Sequence, residues 1–325
     1  MLLPIWHALN DCVGGFLIAS YHSEYSAWAL LLFNVAGFGL QLPFGYLTDR
    51  YFSPVQVLRT ALFLSLLALF VFPYLPFASL IICGLASGLF HVSAGSLVLK
   101  SSDTKSSTWL GAFTAPGVVG LALGGYAGHY GWSWLWPLMG LSAVSILLSL
   151  FLKPPLVVSS ETKSTAMDKH DLAMILVILV IAFRSATWNV YQMMYENDLQ
   201  GLLYLAMAAA FGKFAGGWIS SRIPTKLYCL VSSFLSSILL AWGDSLFATL
   251  SGIFLLQSVT PLVFRSMHQL MPEKTATSSG LVLGLAIALG GLSNLMIPNS
   301  YTILGFGVLC LLLYSLIPRR PISLS

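Results

Sequence analysis

The sequence predicts an all-α polytopic membrane protein, with twelve transmembrane helices in two six-helix bundles. Two observations lead to this fold class. Hydrophobic residues make up 57% of the 325 residues and charged residues only 8%, whereas a soluble domain carries about 25% charged residues. Apolar stretches of the roughly 20 residues that a spanning helix needs recur along the whole chain. The net charge of +4 arises from loop cations and does not indicate a nucleic-acid partner.

The apolar stretches divide the chain into two halves. The predicted spans are residues 2–20, 26–47, 55–74, 77–99, 107–128, 132–152, 171–194, 199–220, 226–242, 246–267, 276–297 and 299–317. The polar segment 153–171 separates an N-terminal bundle, residues 1–152, from a C-terminal bundle, residues 172–325. We predict that this segment is a cytoplasmic linker.

The basic residues predict the orientation. Of the 15 Lys and Arg, Arg184 and Lys213 fall within predicted spans. If the N-terminus is inside, the other 13 all fall at cytoplasmic loops or ends, and the opposite loops contain acids but no Lys or Arg. Such a bias is the positive-inside pattern. We therefore expect both termini in the cytoplasm and the protein in a plasma membrane, the inner membrane of a bacterium.

The two halves share a short motif. The second span ends in "GYLTDR", and the eighth, which is the second span of the other half, ends in "GWISSR". Glycine and arginine recur at matching positions, while a serine replaces the acid. Repeated six-span halves are an architecture of secondary transporters.

Twelve spans, the repeat, the central linker and "GYLTDR" together resemble the major facilitator superfamily, whose motif here is Gly-x-Leu-x-Asp-Arg. The usual second glycine is replaced by Phe52. The resemblance implies that this loop latches the two halves in the outward-facing state. It also implies a set of gating residues, which are Gly45, Asp49, Arg50, Gly217 and Arg222.

A narrower set of motifs resembles the fosmidomycin-resistance-like branch of that superfamily. They are "HALND" in span 1, "GLFHVSAGS" in span 4, "FRS" in span 7 and "MPEKTATSSGLVLGLAIALGG" through span 11. That branch usually reads Phe-His-Pro-Glu-Gly-Ser in span 4, and here the acid is missing. The resemblance implies no particular substrate.

The first span contains a candidate proton site. His7 and Asp11 are spaced i, i+4 and share one helix face, with Asn10 beside that face. A charge at membrane depth costs roughly 3 kcal/mol on insertion scales, and a carboxylate in a desolvated cavity can exchange a proton. The alternative interpretation is a structural ion pair or an interfacial position near the N-terminus.

The seventh span contains a candidate anion site. Arg184 shares a face with Trp188 and Tyr191, and Gln192 lies close by. Because a guanidinium binds carboxylate and phosphate groups, we interpret Arg184 as a substrate anchor or as a gating partner of Asp11. A scaffold arginine that caps neighbouring carbonyls is the alternative.

Three further polar residues lie in predicted spans. His91 of span 4 could bind substrate or carry protons, or could simply serve helix packing. Lys213 is explained by snorkelling to the interface. Asn294, beyond the small-residue face of span 11, is a further candidate for substrate binding or proton coupling. We expect Asp11, His91 and Arg184, with Trp188 and Tyr191, to converge on one cavity near the bilayer midplane.

Motif absences exclude several functional classes. The chain contains no His-Glu-x-x-His, Gly-x-Ser-x-Gly or P-loop motif. We therefore predict that the protein is neither an enzyme nor an ATP-driven pump and that it holds no cofactor and no metal. We predict a monomeric secondary transporter that moves a small organic solute through the bilayer by alternating access. We expect proton-coupled efflux, or antiport, because the small-residue face of span 5 resembles the antiporter motif of export members of the superfamily. The alternatives are an uptake symporter of a small organic anion and a non-transporting or scramblase-like member.

Overall fold

The computed structural model describes residues 2–21, 31–101, 107–153, 169–195, 198–220, 222–291 and 300–316. These residues form twelve membrane-crossing helical segments in two six-helix bundles, and this layout confirms the predicted fold class. The helices are α1 Leu3–Ser20, α2 Leu31–Tyr51, α3 Pro54–Val71, α4 Pro76–Ser101, α5 Thr108–Tyr130, α6 Trp132–Ser149, α7 Lys169–Met194, α8 Leu199–Ile219, α9 Thr225–Trp242, α10 Leu246–Leu270, α11 Thr275–Gly290 and α12 Ser300–Leu316.

Helix lengths follow the apolar stretches of the sequence closely. Within the described residues, nine helices are long and apolar enough to cross a bilayer. The helix α1 has the necessary length but carries three polar residues, and α11 and α12 are shorter in their described parts. Most of the predicted linker, residues 154–168, lies outside the described residues.

Several helices contain irregular turns where the sequence predicts a plain span. The helix α2 has a π-helical turn at Val35–Gly39 and α11 has one at Leu281–Leu285. The helix α10 is interrupted between Ser258 and Thr260. There Pro261 lacks the amide hydrogen that would continue the helical ladder. The interruption leaves the Thr260 side chain free to contact α7.

Glycines bring α1 and α5 into backbone contact within the N-terminal bundle. A Cβ at Gly120 would collide with the backbone of Ala8, and one at Gly124 with the backbone of Cys12. Small residues allow membrane helices to approach this closely. The contact fixes the face of α1 that carries His7 and Asp11 against α5.

Two helix pairs join the halves at one end of the molecule, which we call the Asp49 end. On one side α2 meets α11, where a Cβ at Gly45 would lie 2.5 Å from Ala276 O. On the other side α8 meets α5, where a Cβ at Gly217 would lie 2.6 Å from Ser107 O. A hydrogen bond between Ser96 Oγ and Thr275 Oγ1 (2.6 Å) also joins α4 to α11. The two halves are therefore closed against each other at the Asp49 end.

Candidate functional site

The candidate site of the N-terminal half is a cluster of His7, Asp11 and His91, which we call the His–Asp cluster. His7 Nε2 lies 3.3 Å from Asp11 Oδ2, and His91 Nε2 lies 3.5 Å from Asp11 Oδ1. The two Nε2 atoms are 3.1 Å apart. Both histidines are buried and the carboxylate is nearly so, which places three polar groups around one point inside the bundle.

The contacts of the other ring nitrogens fix the tautomer that each histidine has when it is neutral. His7 Nδ1 lies 2.7 Å from Phe113 O, and His91 Nδ1 lies 2.8 Å from Ser87 O. A carbonyl oxygen only accepts hydrogen bonds, so both Nδ1 atoms carry their hydrogen. In a neutral imidazole Nε2 is then an unprotonated acceptor. Two acceptor nitrogens would therefore face each other and a carboxylate.

Neighbouring residues shape the cluster further. Asn10 Nδ2 donates to Asp11 Oδ1 (2.9 Å) and contacts Ser87 Oγ at 3.4 Å. A Cβ at Gly117 would come within 2.6 Å of Asp11 Oδ2 and closer still to His7 Nε2. Because any larger residue at position 117 would collide with the His7 ring and the Asp11 carboxylate, the glycine maintains the space in which these two side chains meet.

The nitrogen and oxygen atoms of the cluster are close enough together to bind a single cation. One ligand atom from each of His7, Asp11 and His91 lies within 4.8 Å of the others. That spacing allows the three side chains to share either a proton or one metal ion. The sequence analysis predicted no metal, so zinc is included as a control in the functional test below.

Lys213 is a candidate residue whose role the sequence analysis missed. It lies on α8, in the C-terminal half, where its backbone carbonyl contacts Gly111 of α5. Its side chain is not among the exposed ones, and it interacts electrostatically with Asp11 and with His91. Snorkelling to the interface does not account for this interaction, which occurs beside the close α5–α8 contact.

The described contacts of Arg184 are with other helices of the C-terminal half. Its Nη2 donates to Thr260 Oγ1 (3.3 Å), and its Nε is buried without a partner. It lines a small cavity among α7, α9, α10 and α12 inside the C-terminal half. The described hydrogen-bond partner of Arg184 belongs to its own half and is not Asp11, so the convergence of Asp11 and Arg184 stays a prediction.

The other predicted residues of the seventh span are also separate from the His–Asp cluster. The Tyr191 hydroxyl donates to Leu240 O of α9, and Trp188 packs in the same apolar group. Gln192 is half-buried. These residues therefore belong to the C-terminal bundle, while Asn294 lies outside the described residues.

The first copy of the repeated motif makes a direct contact between the halves. Asp49 accepts hydrogen bonds from the amides of Ala276 (3.0 Å) and Thr277 (2.7 Å), and from the Thr277 hydroxyl (2.7 Å). These amides form the N-terminus of α11, where a carboxylate is favoured by the helix dipole. Arg50 faces outward and donates to Tyr46 Oη (2.5 Å). The acid, rather than the arginine, makes the contact between the halves.

The second copy makes a weaker contact. Thr108 Oγ1 of α5 donates to Gly217 O of α8 at 3.4 Å. Arg222 stacks over the Trp218 ring of its own half, 3.7 Å from the ring centroid. The contact between the halves at this copy therefore depends on close backbone packing without a capping carboxylate.

A large apolar groove lies beside the His–Asp cluster. Its volume is about 640 Å³, and its lining comes from α1, α5, α6 and α8. Ala8, Cys12, Pro116 and Phe211 are among the lining residues, all of them apolar. The groove therefore offers no group that would recognise a charged solute, and the ionisable groups lie elsewhere.

Comparison with known proteins agrees with this geometry. The E. coli fucose:proton symporter FucP has a TM-score of 0.75 at 15% identity, covering 98% of this chain and 97% of that chain. FucP in the outward conformation has a TM-score of 0.71 at 14% identity, covering 98% of this chain and 100% of that chain. The human organic anion transporter MFSD10 has a TM-score of 0.70 at 14% identity, covering 97% of this chain and 99% of that chain.

These likenesses concern the fold. No curated protein matches the chain in sequence. The family model of the Major Facilitator Superfamily, in contrast, matches residues 12–298, which is most of the chain. The chain therefore belongs to the Major Facilitator Superfamily of membrane transporters.

Proposed function

We propose that this protein is a monomeric secondary active transporter that exports a small organic solute in exchange for protons. The observation that carries the proposal is the His–Asp cluster. The two unprotonated nitrogens and the carboxylate, 3.1–3.5 Å apart, repel one another unless a cation lies among them. One additional proton on either Nε2 creates an imidazolium that donates to the other nitrogen and balances the Asp11 charge.

Lys213 couples this proton to the arrangement of the halves. With the proton bound, the His–Asp cluster is neutral overall, and when the proton leaves, Asp11 confers one negative charge. Lys213 of the other half interacts electrostatically with Asp11, and this attraction is stronger inside a protein than in water. Proton release therefore pulls α8 toward α1. Lys213 thus acts as the gating partner of Asp11, a role that the sequence analysis offered to Arg184.

The contacts at the Asp49 end support an outward-facing state. We assign this end to the cytoplasm, because the predicted loops on that side carry the cations. Asp49 and the two glycine contacts close it. The likeness to FucP in the outward conformation agrees with this assignment. In this state the His–Asp cluster takes its proton from the outside.

The direction of solute movement has two candidates. Export by antiport is supported by the small-residue face of α5, although part of that face is engaged in packing on α1. Uptake by symport is supported by the likeness to FucP, a fucose:proton symporter. We adopt export, the direction that the resemblance of span 5 to the antiporter motif of export members favours.

Proteoliposomes loaded with a pH-sensitive dye test the proposal. The vesicles are challenged with L-fucose, small carboxylates and the phosphonate fosmidomycin, with a pH difference as the only energy source. We expect at least one solute to move protons in the wild type. Asp11→Asn should abolish uphill movement of that solute and preserve exchange of labelled for unlabelled solute.

Three controls make the test specific. Asp244→Asn removes an exposed acid and should leave transport unchanged. Zinc addition shows whether a metal ion occupies the cluster in place of the proton, and labelled lipid shows whether the protein scrambles lipids instead. The proposal is wrong if Asp11→Asn still drives solute against its gradient, or if lipid moves without any proton response.

A further inference from the structure

The small cavity beside Arg184, which we call the Arg184 cavity, has several polar groups in a lining that is otherwise apolar. Its volume is about 10 Å³, which is room for one water-sized particle. Hydroxyl groups and one guanidinium supply the polar part of the lining. These groups belong to Arg184, Thr187, Ser233, Ser236 and Ser237.

The guanidinium in this cavity has no counter-charge among the described residues. Arg184 is only 5% exposed, and its described hydrogen bond is the 3.3 Å contact with Thr260. The groups that interact with it electrostatically are cysteines, tyrosines and Lys213. The cysteines and tyrosines are neutral near pH 7, and the lysine is another cation. Because arginine keeps its proton in proteins, this buried charge needs an anion from elsewhere.

Unpaired donors identify where that anion would lie. Arg184 Nε and Ser233 Oγ are both buried without partners, and both residues line the cavity. The neighbouring hydroxyls already donate, since Ser236 Oγ bonds Gly252 O (2.9 Å) and Ser237 Oγ bonds Ser233 O (2.7 Å). The Ser233 hydroxyl therefore remains available, together with the guanidinium, to bind an acceptor in the cavity.

We propose that the Arg184 cavity binds one chloride ion. A water molecule would satisfy the hydrogen bonds but leave the charge of Arg184 uncompensated. A carboxylate or phosphate group has at least three heavy atoms and exceeds the cavity volume. A monatomic anion supplies the missing charge, accepts from the free donors and is the smallest anion available to this cavity.

This assignment separates Arg184 from the solute and from the proton. The Arg184 cavity lies among helices of the C-terminal half, and its lining contains no residue of the His–Asp cluster. Chloride is therefore a fixed counter-ion of the C-terminal bundle, and its loss should reduce stability without removing the proton site.

Thermal unfolding of the purified protein in nanodiscs tests the proposal. Sodium chloride and bromide are compared with sodium gluconate and sulfate at equal ionic strength. We expect the halides alone to raise the Tm of the wild type in a saturable way, because a ligand that binds the folded state stabilises it. Equilibrium dialysis with radioactive chloride should give one site per molecule.

Three variants localise the site. Arg184→Gln should remove the halide response. Ser233→Ala keeps the charge and should weaken chloride affinity about tenfold, as expected for one hydrogen bond to a charged group. Arg265→Gln is the matched control, since Arg265 also has a buried unpaired Nε but contacts Ser107, and it should respond like the wild type.

Several results would overturn the proposal. They are a wild type with no halide response, no bound chloride in dialysis, or a halide response that persists undiminished in Ser233→Ala. If Arg184→Gln does not fold, the Ser233→Ala affinity and the dialysis stoichiometry still decide the matter. None of these measurements depends on proton-driven transport.

Discussion

The two halves of this transporter bury opposite charges in opposite ways. In the N-terminal half, Asp11 is surrounded by His7, His91 and Asn10, all within hydrogen-bonding or ion-pairing distance. In the C-terminal half, Arg184 has one described neutral partner and an unpaired Nε. The neighbours of the first charge are imidazoles, which titrate near neutral pH, whereas the cysteines and tyrosines around the second charge are neutral there. A charge of the first kind can be switched by a proton, whereas a charge of the second kind is permanent.

The two sites also differ in their position relative to the two halves. The His–Asp cluster lies against Gly117 of α5, the helix that also contacts α8 of the other half, and Lys213 of α8 interacts electrostatically with Asp11. The Arg184 cavity lies among helices of a single half. A change of charge in the first site therefore alters the attraction between the halves, while the second site stabilises one of them.

The largest expected effect comes from removing the paired charge. Asp11→Asn deprives two buried imidazoles of their carboxylate and should lower the free energy of unfolding by about 3 kcal/mol. Unfolding by SDS titration in mixed micelles measures this loss. An unchanged stability would mean that Asp11 does not interact with His7 and His91 as described.

Removing the unpaired charge should have the opposite sign. In chloride-free buffer Arg184→Met should raise the free energy of unfolding by about 2 kcal/mol, because an uncompensated buried charge is replaced by an apolar chain of similar length. The same titration in gluconate measures this gain. A variant less stable than the wild type without halide would show that Arg184 has a protein partner.

The smallest expected effect concerns Lys213. Lys213→Met removes a positive charge near the His–Asp cluster, which makes proton binding easier. The pH of half-maximal transport should therefore rise by about one unit, equivalent to about 1.4 kcal/mol. Lys226→Met is a suitable control, because Lys226 donates to Ser315 O at the exposed start of α9. Equal pH profiles in both variants would contradict the coupling role of Lys213.

The sequence predicted the helices well because membrane spans depend on local properties. Length and apolarity suffice to identify them, since every backbone group in a bilayer must bond within its own helix. The pairing of His7 with Asp11 was also predictable, because i and i+4 side chains meet on one helix. Local patterns did not reveal the irregular turns of α2 and α11.

The direction in which each buried charge points was not predictable from the sequence. His91 joins the cluster only because α4 packs on α1, and Arg184 bonds Thr260 only because α10 is interrupted beside that residue. The sequence predicted an interfacial position for Lys213, because it does not show that α8 packs against α5 at this residue. These contacts depend on tertiary packing, which a single sequence does not show.

The central claim is that the His–Asp cluster holds one exchangeable proton. A potentiometric difference titration in nanodiscs tests it most directly. The wild type is compared with the His7→Gln/Asp11→Asn/His91→Gln variant, after both are shown to be folded and free of metal. The account predicts that the wild type takes up about one more proton per molecule than the variant across the physiological pH range. Equal proton uptake by the two proteins would contradict it.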